Sequence, residues 1–243
     1  METLTLYQAV YPIDEGLNCD QLFSRFVGWG IQTSSKHDQY LRQQLNQEFL
    51  EPNQSWVITQ NQLCKEGSFD ATAEVTVTTR VTQANRFFIQ RFYEYFQHDE
   101  RIATMTTQFV AIDLRTRRLV RLNAIQKSLK DVIDPEYKRT LPQLDAKPQE
   151  QVGYQFEPVI EDGDIDVNNH VNNLIYLRWA LDDAKQRGQN LEGIQQIDIK
   201  YSQELMADDQ VTIDVQETDN ITEYFIYKQK DQPLAAYIQL TGN

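Results

Sequence analysis

The stretch from Asp164 to Asn173 reads Asp-Ile-Asp-Val-Asn-Asn-His-Val-Asn-Asn, a concentration of groups able to do chemistry. Asp166, Asn168 and His170 alternate, so in an extended approach a carboxylate, an amide and an imidazole project to one side. An imidazole exchanges protons near neutral pH, a carboxylate orients it, and an amide donates to an oxygen that gains charge. That is equipment for attack on a carbonyl carbon. The residues that follow, Val171, Leu174, Ile175, Leu177, Trp179, Ala180 and Leu181, are apolar over much of a helical circumference and predict a buried helix over 169–187. The start of such a helix presents unpaired N–H groups and a positive dipole end, which suits an oxyanion. One Asn or Asp suffices as a cap, so the density of polar residues points to a site rather than to capping alone.

Two kinds of element must position this stretch. Segments with period-two alternation predict strands over 73–82, 87–96, 102–114, 194–204, 210–216, 224–229 and 234–240, and their short spacings favour antiparallel pairing. The segment 87–96 is aromatic on both sides, as expected of a strand buried on both faces. A second apolar helix is predicted over 17–33, followed by a polar one over 35–50. A helix apolar nearly all round asks for a curved sheet wrapped about it. Shifting the chain by 154 residues lays Leu17-Asn18 on Val171-Asn172, and Phe23, Phe26 and Val27 on Leu177, Ala180 and Leu181. The chain thus reads as a duplicated helix-plus-sheet unit of the α+β class. We expect an N-terminal domain over 1–125, a proline-marked linker over 126–149 and a C-terminal domain over 150–243. Asp14-Glu15-Gly16 falls opposite Asn168-Asn169-His170, so only the second half carries an imidazole there.

Composition narrows the classes. The 243 residues hold 36 Asp and Glu against 23 Lys and Arg, a net charge of −13 that speaks against a nucleic-acid partner. No apolar run reaches the roughly 18 residues needed to cross a bilayer, and 1–11 lacks a signal-peptide layout, so we expect a cytoplasmic protein off the membrane. Cys19 and Cys64 have no metal-ligand spacing, and His37, His98 and His170 are far apart, so we expect no metal and no cofactor. There is no G-x-S-x-G nucleophile elbow.

Asp166-Val167-Asn168-Asn169-His170-Val171-Asn172-Asn173 resembles the D-x-N-x-H-V-N-N signature of the acyl-acyl carrier protein thioesterases of plants and bacteria. Tyr201-Ser202-Gln203-Glu204-Leu205 is similar to that family's Y-R-R-E-C segment, and Trp56-Val57-Ile58-Thr59 to its W-V-L-T. The resemblance implies a double hot-dog, two tandem helix-wrapped antiparallel sheets in one chain, and hydrolysis of fatty acyl thioesters in lipid metabolism. It implies a catalytic set of Asp166, Asn168, His170 and Glu204. Asn168 would polarise the carbonyl, either Glu204 or His170 would activate water, and Asp166 would orient its neighbours. Leu205 stands where plant members have Cys, which removes a thiol nucleophile at that position.

The resemblance also implies acyl carrier protein, an acidic partner, as substrate carrier for a monomer or homodimer. Residues 115–139 hold Arg115, Arg117, Arg118, Arg121, Lys127, Lys130, Lys138 and Arg139 against Asp131, Asp134 and Glu136, a net +5 that leaves −18 elsewhere. We expect the carrier to dock there, through Arg115, Arg117, Arg118 and Arg121. An acyl-CoA thioesterase and a non-catalytic acyl-thioester sensor are the alternatives on the same fold.

Overall fold

In the computed structural model, which describes residues 3–13, 17, 19–144, 146–147, 153–166, 169–229 and 233–242, period-two segments become strands and the apolar runs become helices. The described residues group into two units, Met1–Leu17 with Arg25–Leu141, and Pro142–Asn243 with Asn18–Ser24. The first half contains β1 (Tyr7–Tyr11), α1 (Cys19–Leu45), β2 (Gln54–Lys65), β3 (Val75–Ala84), β4 (Ile89–Gln97), β5 (Glu100–Asp113) and the short α2 (Asn123–Ser128). The second contains β6 (Tyr154–Phe156), α3 (Asn173–Gln186), β7 (Ile194–Tyr201), β8 (Thr212–Glu217), β9 (Ile221–Tyr227) and β10 (Leu234–Gly242). Strands run in the order β1-β3-β4-β5-β2 in the first and β7-β10-β9-β8-β6 in the second, every neighbouring pair within a unit antiparallel. Exchanging each strand for its counterpart five places later turns the first order into the second read from its other end. The helices α1 and α3 begin at Cys19 and Asn173, 154 residues apart, the offset of the internal repeat.

In the first unit the sheet holds α1 through side chains that suit a buried helix. Phe26 packs on Tyr95 with ring centroids 4.9 Å apart, and the Tyr95 hydroxyl donates to the Phe26 carbonyl at 2.7 Å. Arg91 of β4 donates to His37 Nδ1 at 3.0 Å and pairs with Asp38. Burial, reinforced by that guanidinium, pushes the His37 imidazole down to about 3 and so keeps it neutral. This histidine acquires its guanidinium partner from a strand 54 positions away. The charges buried in β4 are each paired, Glu94 accepting from Arg80 at 3.0 Å and from Arg101 at 3.1 Å, as burial of ions requires.

Three expectations change. The helix does not stop at Thr33: Thr33 and Ser35 donate their hydroxyls to the carbonyls of Trp29 and Ile31, and Ser34 to Ile31, so these residues satisfy themselves inside one helix running to Leu45. The strand β2 escapes the alternation test because Gln60, Asn61 and Gln62 interrupt its pattern, yet pairing with β5 carries it through to Lys65. Residues 126–149, expected as a linker, do not leave the first unit at once. Leu122, Ile125, Leu129 and Val132 recur at helical spacing and are buried with Leu41, Phe49, Val81, Ile89 and Ala111. Leu144, by contrast, packs with Phe225 and Tyr237 of the second unit.

In the second unit the far end of α3 is pinned by Asp183, which accepts from the Tyr224 hydroxyl and Arg187 Nε, both at 3.0 Å, and from the Tyr154 hydroxyl. Among the described residues no helix is long and apolar enough to cross a membrane.

Gly30 shows how closely α1 meets its sheet. A Cβ at this position would lie 2.5 Å from both Met105 Cε and the Tyr95 hydroxyl oxygen. Alanine ordinarily stabilises a helix by about 1 kcal/mol over glycine, but overpacking costs about 1–3 kcal/mol, and the Tyr95 hydroxyl is tethered. Gly30→Ala should therefore lower the urea midpoint; an unchanged or raised midpoint would contradict this packing.

Candidate active site

The polar stretch before α3 does not run extended. Asp166 N–H donates to the His170 carbonyl at 2.8 Å, Asn169 N–H to the Asp166 carbonyl at 3.0 Å, and His170 N–H to Asp166 Oδ1 at 3.2 Å. Ile165 and Val171 face each other as an antiparallel bridge, and Asn169 takes a φ of +62°. The described residues on either side, Ile165 and Asp166 with Asn169, His170 and Val171, are thus drawn together by the Asp166 carboxylate and backbone rather than laid out in an extended approach. Asn is among the few residues that accept a left-handed backbone at modest cost, which accounts for Asn169 at this corner. Asn168 lies outside the described residues.

The loop is moored on both sides. Upstream, Asp164 is 1% exposed and receives Arg178 of α3 at 2.9 Å, while its carbonyl accepts the Asn172 N–H at 2.8 Å. Downstream, Asn172 caps α3, its side chain accepting the Leu174 N–H at 3.0 Å and its carbonyl the Ile175 N–H at 2.9 Å. Two of the helix's leading N–H groups are therefore committed to the cap, which narrows the supply of backbone donors for an oxyanion.

Glu204 reaches the loop through backbone pairing. Val171 N–H donates to the Leu205 carbonyl at 2.8 Å, and His170 bridges Met206 in antiparallel fashion. Leu205 is itself fully buried, and its N–H donates at 3.1 Å to the hydroxyl of Tyr176, a buried residue of α3. Burial pushes the Tyr176 phenol up to about 12, so it remains a neutral hydroxyl at any working pH. Tyr201 stands edge-on to Tyr176 at 5.6 Å and donates to the Asn173 carbonyl at 3.1 Å. On the far side Met206 N–H donates to Asp209, which pairs with Lys228 at 3.0 Å.

These contacts bring His170 Nδ1 within 3.6 Å of Glu204 Oε1, the side chains 19% and 36% exposed. That is ion-pair reach rather than a formed hydrogen bond, and such contacts tighten when substrate excludes water. A half-exposed carboxylate beside a mostly covered imidazole can hold a water molecule and take its proton. The structure thus gathers Asp166, His170 and Glu204, with Asp166 acting on the loop backbone. Arg115, Arg117, Arg118 and Arg121 are exposed and belong to the first unit. Sequence reasoning missed Tyr176 and Arg178, and it gave Asp164 no role beyond opening the polar stretch. The signal for Tyr176 was present: a hydroxyl on the apolar face of a buried helix needs a partner.

The Acyl-ACP thioesterase N-terminal domain model matches residues 17–127, and the C-terminal domain model matches residues 147–240. Solved structures share the fold across the whole chain. The 12:0-ACP thioesterase of Umbellularia californica superposes with a TM-score of 0.79 at 15% identity, covering 100% of this chain and 98% of its own. An acyl-ACP thioesterase of Bacteroides thetaiotaomicron gives 0.75 at 17% identity, covering 98% of both chains. No curated protein matches in sequence. The fold is that of a tandem hot-dog, and the two domain models, which cover most of the chain, make it a thioester hydrolase. The chain belongs to the acyl-ACP thioesterase family, whose reaction is the hydrolysis of fatty acyl-acyl carrier protein.

The tight loop has a direct test. Asn169→Ala should destabilise by about 1–2 kcal/mol, the cost of a left-handed backbone for a residue with a Cβ, whereas Asn169→Gly should not. Thermal melts of the two variants check this; equal melting temperatures would restore the extended approach.

Proposed function

We propose that the protein releases fatty acids from acyl carrier protein through Asp166, Asn168, His170 and Glu204, and the observation that carries this is the His170–Glu204 contact beside the start of α3. Glu204, the more exposed partner, takes a proton from a water molecule as the water oxygen bonds to the thioester carbon. The carbonyl electrons move onto oxygen, where the Asn168 amide and the imidazole donate. Collapse expels the carrier's sulfur, which receives the proton through His170. The products are a carboxylic acid and the carrier thiol. Asp166 keeps His170 in place by holding the loop backbone.

Covalent catalysis has no support at Leu205, whose side chain is buried and apolar. The reading predicts that Glu204→Ala and His170→Ala each lower kcat by about 10²- to 10⁴-fold, the range for losing a general base or an oxyanion donor. Steady-state kinetics on acyl carrier protein thioesters, with circular dichroism to confirm folding, checks this. Near wild-type kcat in both variants would sink the assignment.

For carrier choice we favour acyl carrier protein over coenzyme A. Arg115, Arg117 and Arg118 stand on a turn that Asp113 organises, its Oδ1 accepting the N–H groups of Arg115 at 3.1 Å and Thr116 at 2.7 Å. Arg121 follows on the same exposed stretch. Exposed arginines on a held backbone suit an acidic protein, and rim charges act mainly on encounter. Charge reversal at Arg117 and Arg118 should lower the ratio of kcat/KM for the carrier-bound thioester over that for a small thioester. The loss should shrink as salt is added; an unchanged ratio argues against docking at these positions.

A further inference from the structure

Among the described residues seven large hydrophobic side chains are exposed, and three of them, Phe87, Leu114 and Leu119, belong to one end of the first sheet. The antiparallel pairing of β4 with β5 places the turn before β4 and the turn after β5 at the same end. The backbone joins them, Leu122 N–H donating to the Arg86 carbonyl at 3.0 Å. Both turns are held in shape. Asn85 accepts the N–H groups of Phe87 at 2.8 Å and Phe88 at 3.0 Å. Leu119 is bridged to Ile112, and Leu114 N–H donates to the Asn53 carbonyl at 2.8 Å. Phe87 is 47% exposed and carries the Arg86 guanidinium over its ring at 4.5 Å, while Leu119 is 65% exposed.

Isolated exposed apolar residues are ordinary, but three at one end of a sheet, among five arginines, are not. Aromatic residues and arginine are the types that anchor protein interfaces, and preshaped turns lower the ordering cost of binding. An organic anion alone would need the arginines but would gain nothing from Leu119 or Leu114. A membrane surface would suit basic and apolar groups, but an excess of −18 over the rest of the chain opposes an anionic bilayer. The partner that fits is an acidic protein with an apolar contact at its centre.

We infer that this end of the first unit, with Phe87 and Leu119 as apolar anchors and Arg86 joining Arg115, Arg117, Arg118 and Arg121 as the rim, is the docking surface for acyl carrier protein. The inference rests on the thioesterase reading for its partner and adds a salt-independent component to recognition. Charge steers the encounter, and the apolar anchors hold the docked carrier.

The test is the double variant F87S/L119S, whose two positions are exposed, with its melting temperature as the folding control. The dissociation constant of acyl carrier protein is measured by calorimetry, and kcat/KM is measured on a carrier-bound thioester and on an acyl-N-acetylcysteamine. We expect the ratio of carrier-bound to small-thioester kcat/KM to fall about tenfold or more. The fall should persist at about 0.5 M salt, where exposed charges are largely screened. A ratio and a dissociation constant within twofold of wild type would overturn the docking surface, and a loss that vanishes in salt would overturn the apolar anchors. If the wild type hydrolyses neither substrate, the thioesterase reading falls, and the calorimetric difference between wild type and variant still decides the surface.

Discussion

The arrangement at the candidate site depends on how the backbone of Leu205 is held. Its carbonyl accepts from Val171 and its N–H donates to Tyr176, so one buried peptide segment is tied to the loop before α3 and to the body of that helix. His170 precedes one contact and Glu204 precedes the other, and their separation follows from these two bonds. Both lie where water is excluded. A donor left without its partner there costs about 1–3 kcal/mol, so the local geometry resists slippage. The candidate groups carried on this loop thereby gain the precision of secondary structure.

The duplication sets two histidines in contrasting places on one scaffold. Both halves bury an apolar helix against an antiparallel sheet with the same strand order, and both helices start at equivalent places. In the first half the helix carries Arg91-bound His37 in its interior, a neutral imidazole committed to packing. In the second the imidazole stands before the helix, partly exposed and beside a carboxylate. The same scaffold thus places its two histidines in opposite surroundings, and the covered ring beside a guanidinium is held neutral.

Net charge hides a division of labour along the chain. Residues 115–139 carry +5 while the remainder carries −18, and their basic side chains are exposed. Three apolar residues of that segment, Ile125, Leu129 and Val132, turn inward to complete the first unit's core. A stretch that reads as a linker by its prolines and charges is therefore an amphipathic cover: one face packs, and the other presents basic side chains to solvent.

By itself the sequence determined the class of fold, the repeat and the place of the candidate site, because these rest on local patterns: period-two valines in β3, apolar helices offset by 154 residues, and a dense polar run ending at Asn173. It did not reveal β2, whose burial depends on pairing with β5 rather than on its own alternation. Nor did it reveal the tight turn at Asn169, since alternation of Asp166, Asn168 and His170 is equally compatible with an extended chain. The loop shape is decided by hydrogen bonds that Asp166 makes across four residues and by the moorings at Asp164 and Asn172. Only tertiary structure brought Tyr176 to Leu205 and Glu204 to His170. Those contacts join residues about 30 positions apart, and side-chain type and periodicity carry no distance information over that range.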